Sequence, residues 1–315
     1  MRVITISEVG EFGLIARVTA RFPALPNVEL GPGDDAAVLT VPDGRVVATT
    51  DLLVDGRHFR RDWSSGYDVG RKAAAQNFAD IAAMGAVPTG LLLGLAAPGD
   101  LAVDWTDSLA DGIRDECAEV GAAVLGGDVV GSEALTLAVT ALGDLQGRPP
   151  VTRSGAKPGD IVAYTGRLGW AAAGLAVLGR GFRSPVSVVN AHRRPEPPYA
   201  QGPRAARHGA TAMVDTSDGL VADLGHVALA SGVGIELNTS ALELPEKLRD
   251  VGAALGIDPM GWVLAGGEDH ALAATFPGGG PLPEGWRHIG RVARGRGVVV
   301  DGTPYQHPGG WEHFR

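Results

Sequence analysis

The chain has 315 residues, 45% of them hydrophobic and 20% charged, with a formal net charge of −9. That length exceeds the size at which one core usually stops growing, so two domains are expected. The acidic balance argues against general nucleic-acid binding, but not against nucleotides, whose phosphates meet carboxylates through bridging cations.

Cys117 is the single cysteine. This excludes an internal disulfide and a thiolate metal cluster, and its helical setting reads as a buried, inert thiol. Glu8 and Glu11 stand where a secretory leader would carry basic residues, and the apolar run Leu91 to Ala97 is too short to span a bilayer. A cytoplasmic location without a membrane partner is expected.

In chain order, Val46 to Thr50 predicts a strand ending at Asp51, and Asp68 to Met84 predicts a helix with Ala73, Phe78, Ile81 and Ala82 on its core face. Asp80 then lies one turn after Gln76 on that helix. Leu91 to Leu95 predicts a strand, Asp104 to Val120 an amphipathic helix stopped by Gly121, and Ala122 to Leu125 a short strand delivering Gly126-Gly127-Asp128. Leu135 to Leu142 alternates as a strand does. Two Gly/Pro-rich stretches, Gly147 to Pro150 and Ala156 to Gly159, bracket a domain junction, giving domains 1–148 and 149–315.

Beyond the junction, Ile161 to Thr165 predicts a strand, Trp170 to Leu178 a helix, and Arg193 to Pro203 a loop rich in Pro and Arg. Thr211 to Val214 predicts a strand running into Asp215, and Leu220 to Ala230 a helix. Strands recur at Gly234–Leu237, Ala271–Phe276, His288–Val292 and Val298–Val300. Both halves mix strands and helices, an α/β chain of the α+β type with antiparallel sheets.

The chemistry lies in six acidic signatures: Gly33-Asp34-Asp35-Ala36-Ala37, Thr49-Thr50-Asp51, Asn77-Phe78-Ala79-Asp80, Gly126-Gly127-Asp128, Asp215-Thr216-Ser217-Asp218-Gly219 and Gly266-Gly267-Glu268-Asp269. Each has an ordinary reading as a turn, a strand end or a helix cap. Together, carboxylates beside hydroxyls and small residues suit hard, oxygen-seeking cations, so the pattern predicts a Mg²⁺-phosphate enzyme. No Gly-x4-Gly-Lys-Ser/Thr occurs, nor a protein-kinase Gly-rich loop with its partners. Phosphate charge must then be offset by metal ions. No Ser/His/Asp or Cys/His constellation is found, and no general base is expected.

These ordered motifs, with Gly10-Glu11-Phe12, Gly56-Arg57-His58-Phe59, Asp80-Ile81-Ala82-Ala83-Met84-Gly85-Ala86 and Thr152-Arg153-Ser154-Gly155-Ala156-Lys157-Pro158-Gly159-Asp160, resemble the thiamine-monophosphate kinases. Those enzymes belong to the superfamily of aminoimidazole ribonucleotide synthetase. The resemblance covers nearly the whole chain. It implies the two-domain fold of that superfamily, with a mixed sheet and helices in the N-terminal domain and an α+β C-terminal domain, a homodimer formed through the N-terminal domains, and transfer of the γ-phosphate of ATP to thiamine monophosphate with several Mg²⁺ ions. It also implies an active site completed by the C-terminal domain.

By the same resemblance, Asp35, Thr49, Thr50, Asp51, Asp80, Asp128, Asp215 and Asp218 match Mg²⁺ ligands. Gly127, Asp128, Arg153 and Ser217 match ATP contacts, and His58, Glu268 and Trp311 match substrate contacts. His270 departs from the Tyr common after Gly-Gly-Glu-Asp. The alternatives are an ATP-dependent ligase or synthetase of the same superfamily acting on an amide or amidine, and a non-catalytic nucleotide-sensing module.

Overall fold

The computed structural model describes residues 3–31 and 37–305. The chain separates into two compact units. One is Met1–Ile81 with Val87–Gly147, and the other is Arg148–Arg315 together with the short stretch Ala82–Ala86.

The first unit holds α1 (Ile6–Thr19), β1 (Val28–Leu30), β2 (Val38–Leu39), β3 (Val47–Val54), most of α2 (Gly66–Ala83), β4 (Val87–Ala97), α3 (Val103–Val120), β5 (Ala123–Gly131) and β6 (Thr136–Asp144). Its main sheet is four-stranded, in the order β3-β6-β4-β5. Helix α2 is apolar on nearly every side because it lies in the core: Ala73, Ala74, Ala75, Phe78, Ala79, Ile81 and Ala82 are all fully buried. Helix α3 ends as its sequence predicts, with Gly121 in the left-handed conformation. Cys117 on α3 is buried, and burial pushes its thiol up to about 12, so it is chemically quiet at neutral pH.

The second unit holds β7 (Ile161–Thr165), α4 (Trp170–Gly179), α5 (Val186–Arg193), α6 (Gln201–Arg207), β8 (Ala212–Asp215), α7 (Leu220–Ser231), β9 (Gly234–Leu237), α8 (Glu246–Leu255), α9 (Pro259–Ala265), β10 (Leu272–Phe276), β11 (Arg287–Ala293), β12 (Gly297–Val300) and β13 (Thr303–Pro304). Its seven-stranded sheet runs β13-β12-β9-β11-β7-β10-β8. Every residue of β8 and β10 is buried, which is why these strands read as continuous apolar runs rather than alternating ones. A core cluster unites Met213, Leu272, Phe276 and Trp286 with Ala82 and Ala83 from the last turn of α2.

The sheets are mixed, as the family resemblance implies for the N-terminal domain, although the strand pattern alone reads as antiparallel: β4 with β5, and β9 with β12, pair in parallel. Strand β5 also departs from the sequence reading. It does not stop before the Gly-Gly-Asp stretch but runs through it, because residues Gly126 to Gly131 keep pairing with Leu92 to Ala97 of β4. One extra residue, Leu125, is accommodated where the register shifts, so Val124 and Leu125 are both buried.

Candidate active site

The pleat of β3 sorts the Thr-Thr-Asp stretch onto two faces. Thr49 and Asp51 face α2. There Asp80 Oδ2 accepts from Thr49 Oγ1 at 2.7 Å, and Asp51 Oδ2 accepts from Gln76 Nε2 at 3.1 Å. Gln76 and Asp80 are one helical turn apart and therefore share a face. Strand and helix thus bring two half-buried carboxylates, a hydroxyl and an amide together. The hydroxyl of Thr50 is not part of this group. It donates to the Val139 carbonyl at 3.0 Å and accepts from Thr140 Oγ1 at 3.1 Å, across the other face of the sheet.

Asp128 is exposed, and its Oδ1 accepts from the neighbouring Val129 N–H at 3.0 Å. Sheet register puts Asp51, Val139, Leu93 and Gly127 in one transverse row. Three strand spacings, about 14 Å, therefore separate the Asp51 position from that of Gly127. Gly127 itself must be glycine, since a Cβ there would sit 1.9 Å from the Leu93 carbonyl oxygen. An apolar cavity opens beside it, with Leu14, Val18, Phe22, Leu95 and Leu109 among its walls.

His58 follows the turn at Gly56. Its Nδ1 accepts from the Val54 N–H at 3.0 Å, so in the neutral ring the proton sits on Nε2. Buried Lys72 donates to the His58 carbonyl at 3.0 Å and fixes the same turn.

In the second unit, two loops are zipped together by their main chains. Glu268 N–H donates to the Ser217 carbonyl at 2.8 Å, His270 N–H to that of Thr216 at 3.2 Å, and Thr216 N–H to that of Ala271 at 2.8 Å. Gly267 permits the approach, since a Cβ there would lie 2.3 Å from the Ser217 oxygen. Glu268 and His270 both have positive φ, at 65° and 51°, a conformation that costs a non-glycine residue energy and must be held by its surroundings.

Three consecutive side chains then go to three different elements. Glu268 Oε2 meets His192 Nδ1 of α5 at 3.2 Å. Asp269 accepts from Gly169 and Ala171 N–H at 2.6 and 2.8 Å, capping α4 from a distance. His270 Nδ1 lies 2.9 Å from Asp215 Oδ2 at the end of β8, with both residues buried.

Asp215 and Asp218 flank Ser217, and a residue absent from the sequence reading joins them. Asp223, in the first turn of α7, accepts the N–H groups of Asp218 and Gly219 at 3.0 and 2.9 Å. Burial, and then the charges of Asp215 and Asp218, push its carboxyl up to about 8. Single ligand atoms of Asp218, Asp223 and His226 lie within 4.8 Å of one another. The sequence signal for Asp223 is an acid in a first helical turn, which reads equally well as dipole compensation. The hydroxyl of Thr216 is fully buried without a hydrogen-bond partner among the described residues. Arg153 is exposed, and its carbonyl accepts from Ser231 Oγ at 2.8 Å. Asp35 and Trp311 lie outside the described residues.

Residues 33–145 match the family described as AIR synthase related protein, N-terminal domain, and residues 157–301 match its C-terminal domain. A thiamine-monophosphate kinase of Mycobacterium tuberculosis is 48% identical over 312 residues, covering 98% of this chain and 93% of that one. The chain belongs to the thiamine-monophosphate kinase family.

The Corynebacterium glutamicum member is 40% identical over 98% of this chain and 95% of its own length. Among solved structures, the kinase from Stenotrophomonas maltophilia K279a superposes with a TM-score of 0.82 at 33% identity, covering 93% of this chain and 96% of that one. A structure described as AaThiL complexed with AMPPCP and TMP gives 0.82 at 34% identity over 100% and 99%. The family's two-domain fold is therefore the fold of this chain.

Proposed function

We propose that this protein transfers the γ-phosphate of ATP to thiamine monophosphate, giving thiamine diphosphate and ADP. The observation that carries this reading is near-full-length similarity to a structure holding an ATP analogue together with TMP. Nearly half-identity to a thiamine-monophosphate kinase supports it.

The donor set fits Mg²⁺. It is made of oxygen ligands, and Asp223, whose carboxyl is raised first by burial and then by the charges of Asp215 and Asp218, is a group that a nearby cation would help to ionise. Asp51, Asp80 and Thr49 would hold cations in residues 1–148, with Asp35 and the main chain of Thr50 as further members. Asp215 and Asp218 would hold them in residues 149–315. Asp128, in the next row with Leu52, Ala138 and Gly94, is three strand spacings from β3 and so too far from Asp51 to share one ion, which favours several ions rather than one. When bound, Mg²⁺ supplies charge neutralisation for the phosphates and the transferring group.

The chain's own residues bind and orient. Main-chain groups at Gly127 allow close approach of phosphate, and the apolar cavity beside them suits a nucleobase. Arg153 and Ser217 would hold the nucleotide. His58, presenting Nε2–H, would donate to the acceptor phosphate, while Glu268 accepts from the aminopyrimidine and Trp311 stacks on the cationic thiazolium. The nucleophile is a phosphate oxygen that is already ionised near neutrality, so no general base is required. Rate enhancement then comes from positioning and charge stabilisation of an in-line transfer.

Two further parts of the reading concern its setting. We infer a homodimer built on the first unit, and a cytoplasmic location. Among the described residues no helix is long and apolar enough to cross a membrane. The decisive assay incubates the protein with ATP, Mg²⁺ and thiamine monophosphate and reads products by mass spectrometry. Thiamine diphosphate and ADP in equal amounts are expected. Inorganic phosphate without thiamine diphosphate overturns the reading.

A further inference from the structure

We infer that His270 is a positioning residue for Asp215, holding its carboxylate ready for a cation. The inference rests on the reading of Asp215 as a Mg²⁺ ligand. Asp215 ends β8 and is 2% exposed. Its charge reaches the neighbouring carboxyl of Asp223. A carboxylate so placed is costly to keep ionised without a donor of its own.

The donor comes from the adjoining chain segment. Asp215 is the register partner of Leu272 in β10. The ladder continues beyond it, with Thr216 N–H donating to the Ala271 carbonyl at 2.8 Å and His270 N–H to that of Thr216 at 3.2 Å. At His270 the backbone leaves the extended conformation, with φ at 51°, and the ring meets Asp215 Oδ2 through Nδ1 at 2.9 Å. An ionised carboxylate only accepts, so Nδ1 carries the proton. Oδ1 of Asp215 makes no hydrogen bond among the described residues and is the oxygen left for a cation. Carboxylates that ligate metals are held by hydrogen bonds of this kind, which fix their orientation. The Tyr common at this place in the family carries its hydroxyl at the far end of the ring, whereas Nδ1 is bonded to the first ring carbon. The contact is therefore a property of the histidine. His270 acts through Asp215, so its effect belongs in metal affinity rather than in the chemistry of the metal-saturated enzyme.

Mn²⁺ is the probe, its binding counted by electron paramagnetic resonance in the presence of a non-hydrolysable ATP analogue. The Mg²⁺ concentration for half-maximal activity and the thermal midpoint are measured alongside. Asp215→Asn should weaken Mn²⁺ binding. If it does not, the ligand reading of Asp215 fails, whatever His270 does. Given that loss, His270→Phe, which keeps a ring and removes the donor, should lower Mn²⁺ affinity by about 10–100-fold. Its half-maximal Mg²⁺ concentration should rise, with kcat restored by excess Mg²⁺. His270→Asn, which sets an amide donor near the Nδ1 position and tolerates a positive φ, should recover most of the affinity. A His270→Phe protein with wild-type Mn²⁺ affinity overturns the proposal, as does a loss of activity that excess Mg²⁺ leaves in place.

Should His270→Phe fail to fold, the wild-type protein labelled with ¹⁵N-histidine decides. The His270 ring signal, identified by its absence from His270→Asn, should report a protonated Nδ1 and should move when Mg²⁺ is added to the complex with the ATP analogue. An Nδ1 without its proton, or a signal indifferent to Mg²⁺, overturns the proposal.

Discussion

Asp223 is the residue whose charge depends most on what surrounds it. In the unfolded chain its carboxyl ionises near 3.8, and in the fold near 8. Between those values the native state binds a proton that the unfolded state does not, so stability falls as pH rises from about 4 to about 8. Asp269, raised to about 7 by burial, acts in the same direction. The expected outcome, in the presence of a chelator, is a thermal midpoint that drops between pH 5 and pH 8. Asp223→Asn should flatten that slope, and Mg²⁺ should flatten it in the wild type, because a cation favours the ionised carboxylates. A slope unaltered in Asp223→Asn would remove the residue from this role. Asp80 makes a sharper case. Asp80→Asn keeps the shape and the partner Thr49 but not the charge, so activity should fall on the order of 100-fold with the midpoint moved by only a few degrees. The contrast between these two residues explains what could be read at this scale. Asp51 and Asp80 stand in signatures whose composition already points to a cation. Asp223 has only a local signal, an acid in a first helical turn, that reads equally well as dipole compensation, and the tie between His270 and Asp215 joins separate elements, so no spacing along the chain encodes it.

At the scale of elements, local signals decided most boundaries. The continuous apolar runs of β7 and β10 and the glycine stops after α3 and α7 are visible in the sequence and present in the fold. Where the reading differs, tertiary pairing outweighs composition. β5 continues through two glycines because β4 pairs with it. Helices α5 and α6 enter the Pro/Arg-rich stretch only at its ends, at Arg193 and at Gln201 to Pro203, and the residues between them form the expected loop. Helices α8 and α9 fall in a span to which no element had been assigned, although Asp258 before Pro259 is a cap-and-proline start, its side chain accepting from Met260 N–H. Two glycine substitutions separate fixed from free backbone. Gly267→Ala forces the Glu268 and Ser217 loops apart and should cost about 1–3 kcal/mol in chemical denaturation, with loss of activity. Gly225→Ala, on α7 with nothing within 4 Å of the added carbon, should stabilise by about 0.5–1 kcal/mol and leave activity intact. Similar costs at both positions would mean that the loop contact is not a constraint.

At the scale of the molecule, the four-stranded sheet has, among the described residues, one face turned to helices and one that is not. Register puts Thr50, Thr140 and Leu92 in one row, and Leu52, Ala138 and Gly94 in the next. Leu52, Leu92 and Val130 on this face are 58%, 38% and 51% exposed. Apolar side chains gathered on one sheet face favour association. The inferred homodimer would cover them with the same face of a second copy, an arrangement that closes by two-fold symmetry. Leu52 is the residue to test, because it is the most exposed of the three and its side chain points away from Asp51. Leu52→Asp puts a charge where the twin surface would bring another beside it, so the variant should sediment as a monomer at micromolar concentration while the wild type sediments as a dimer. Helix α2 and the Thr49–Asp80 contact lie on the opposite face, so far-UV circular dichroism should be unchanged. A wild-type monomer, or a Leu52→Asp dimer of unaltered stability, would refute association through this face.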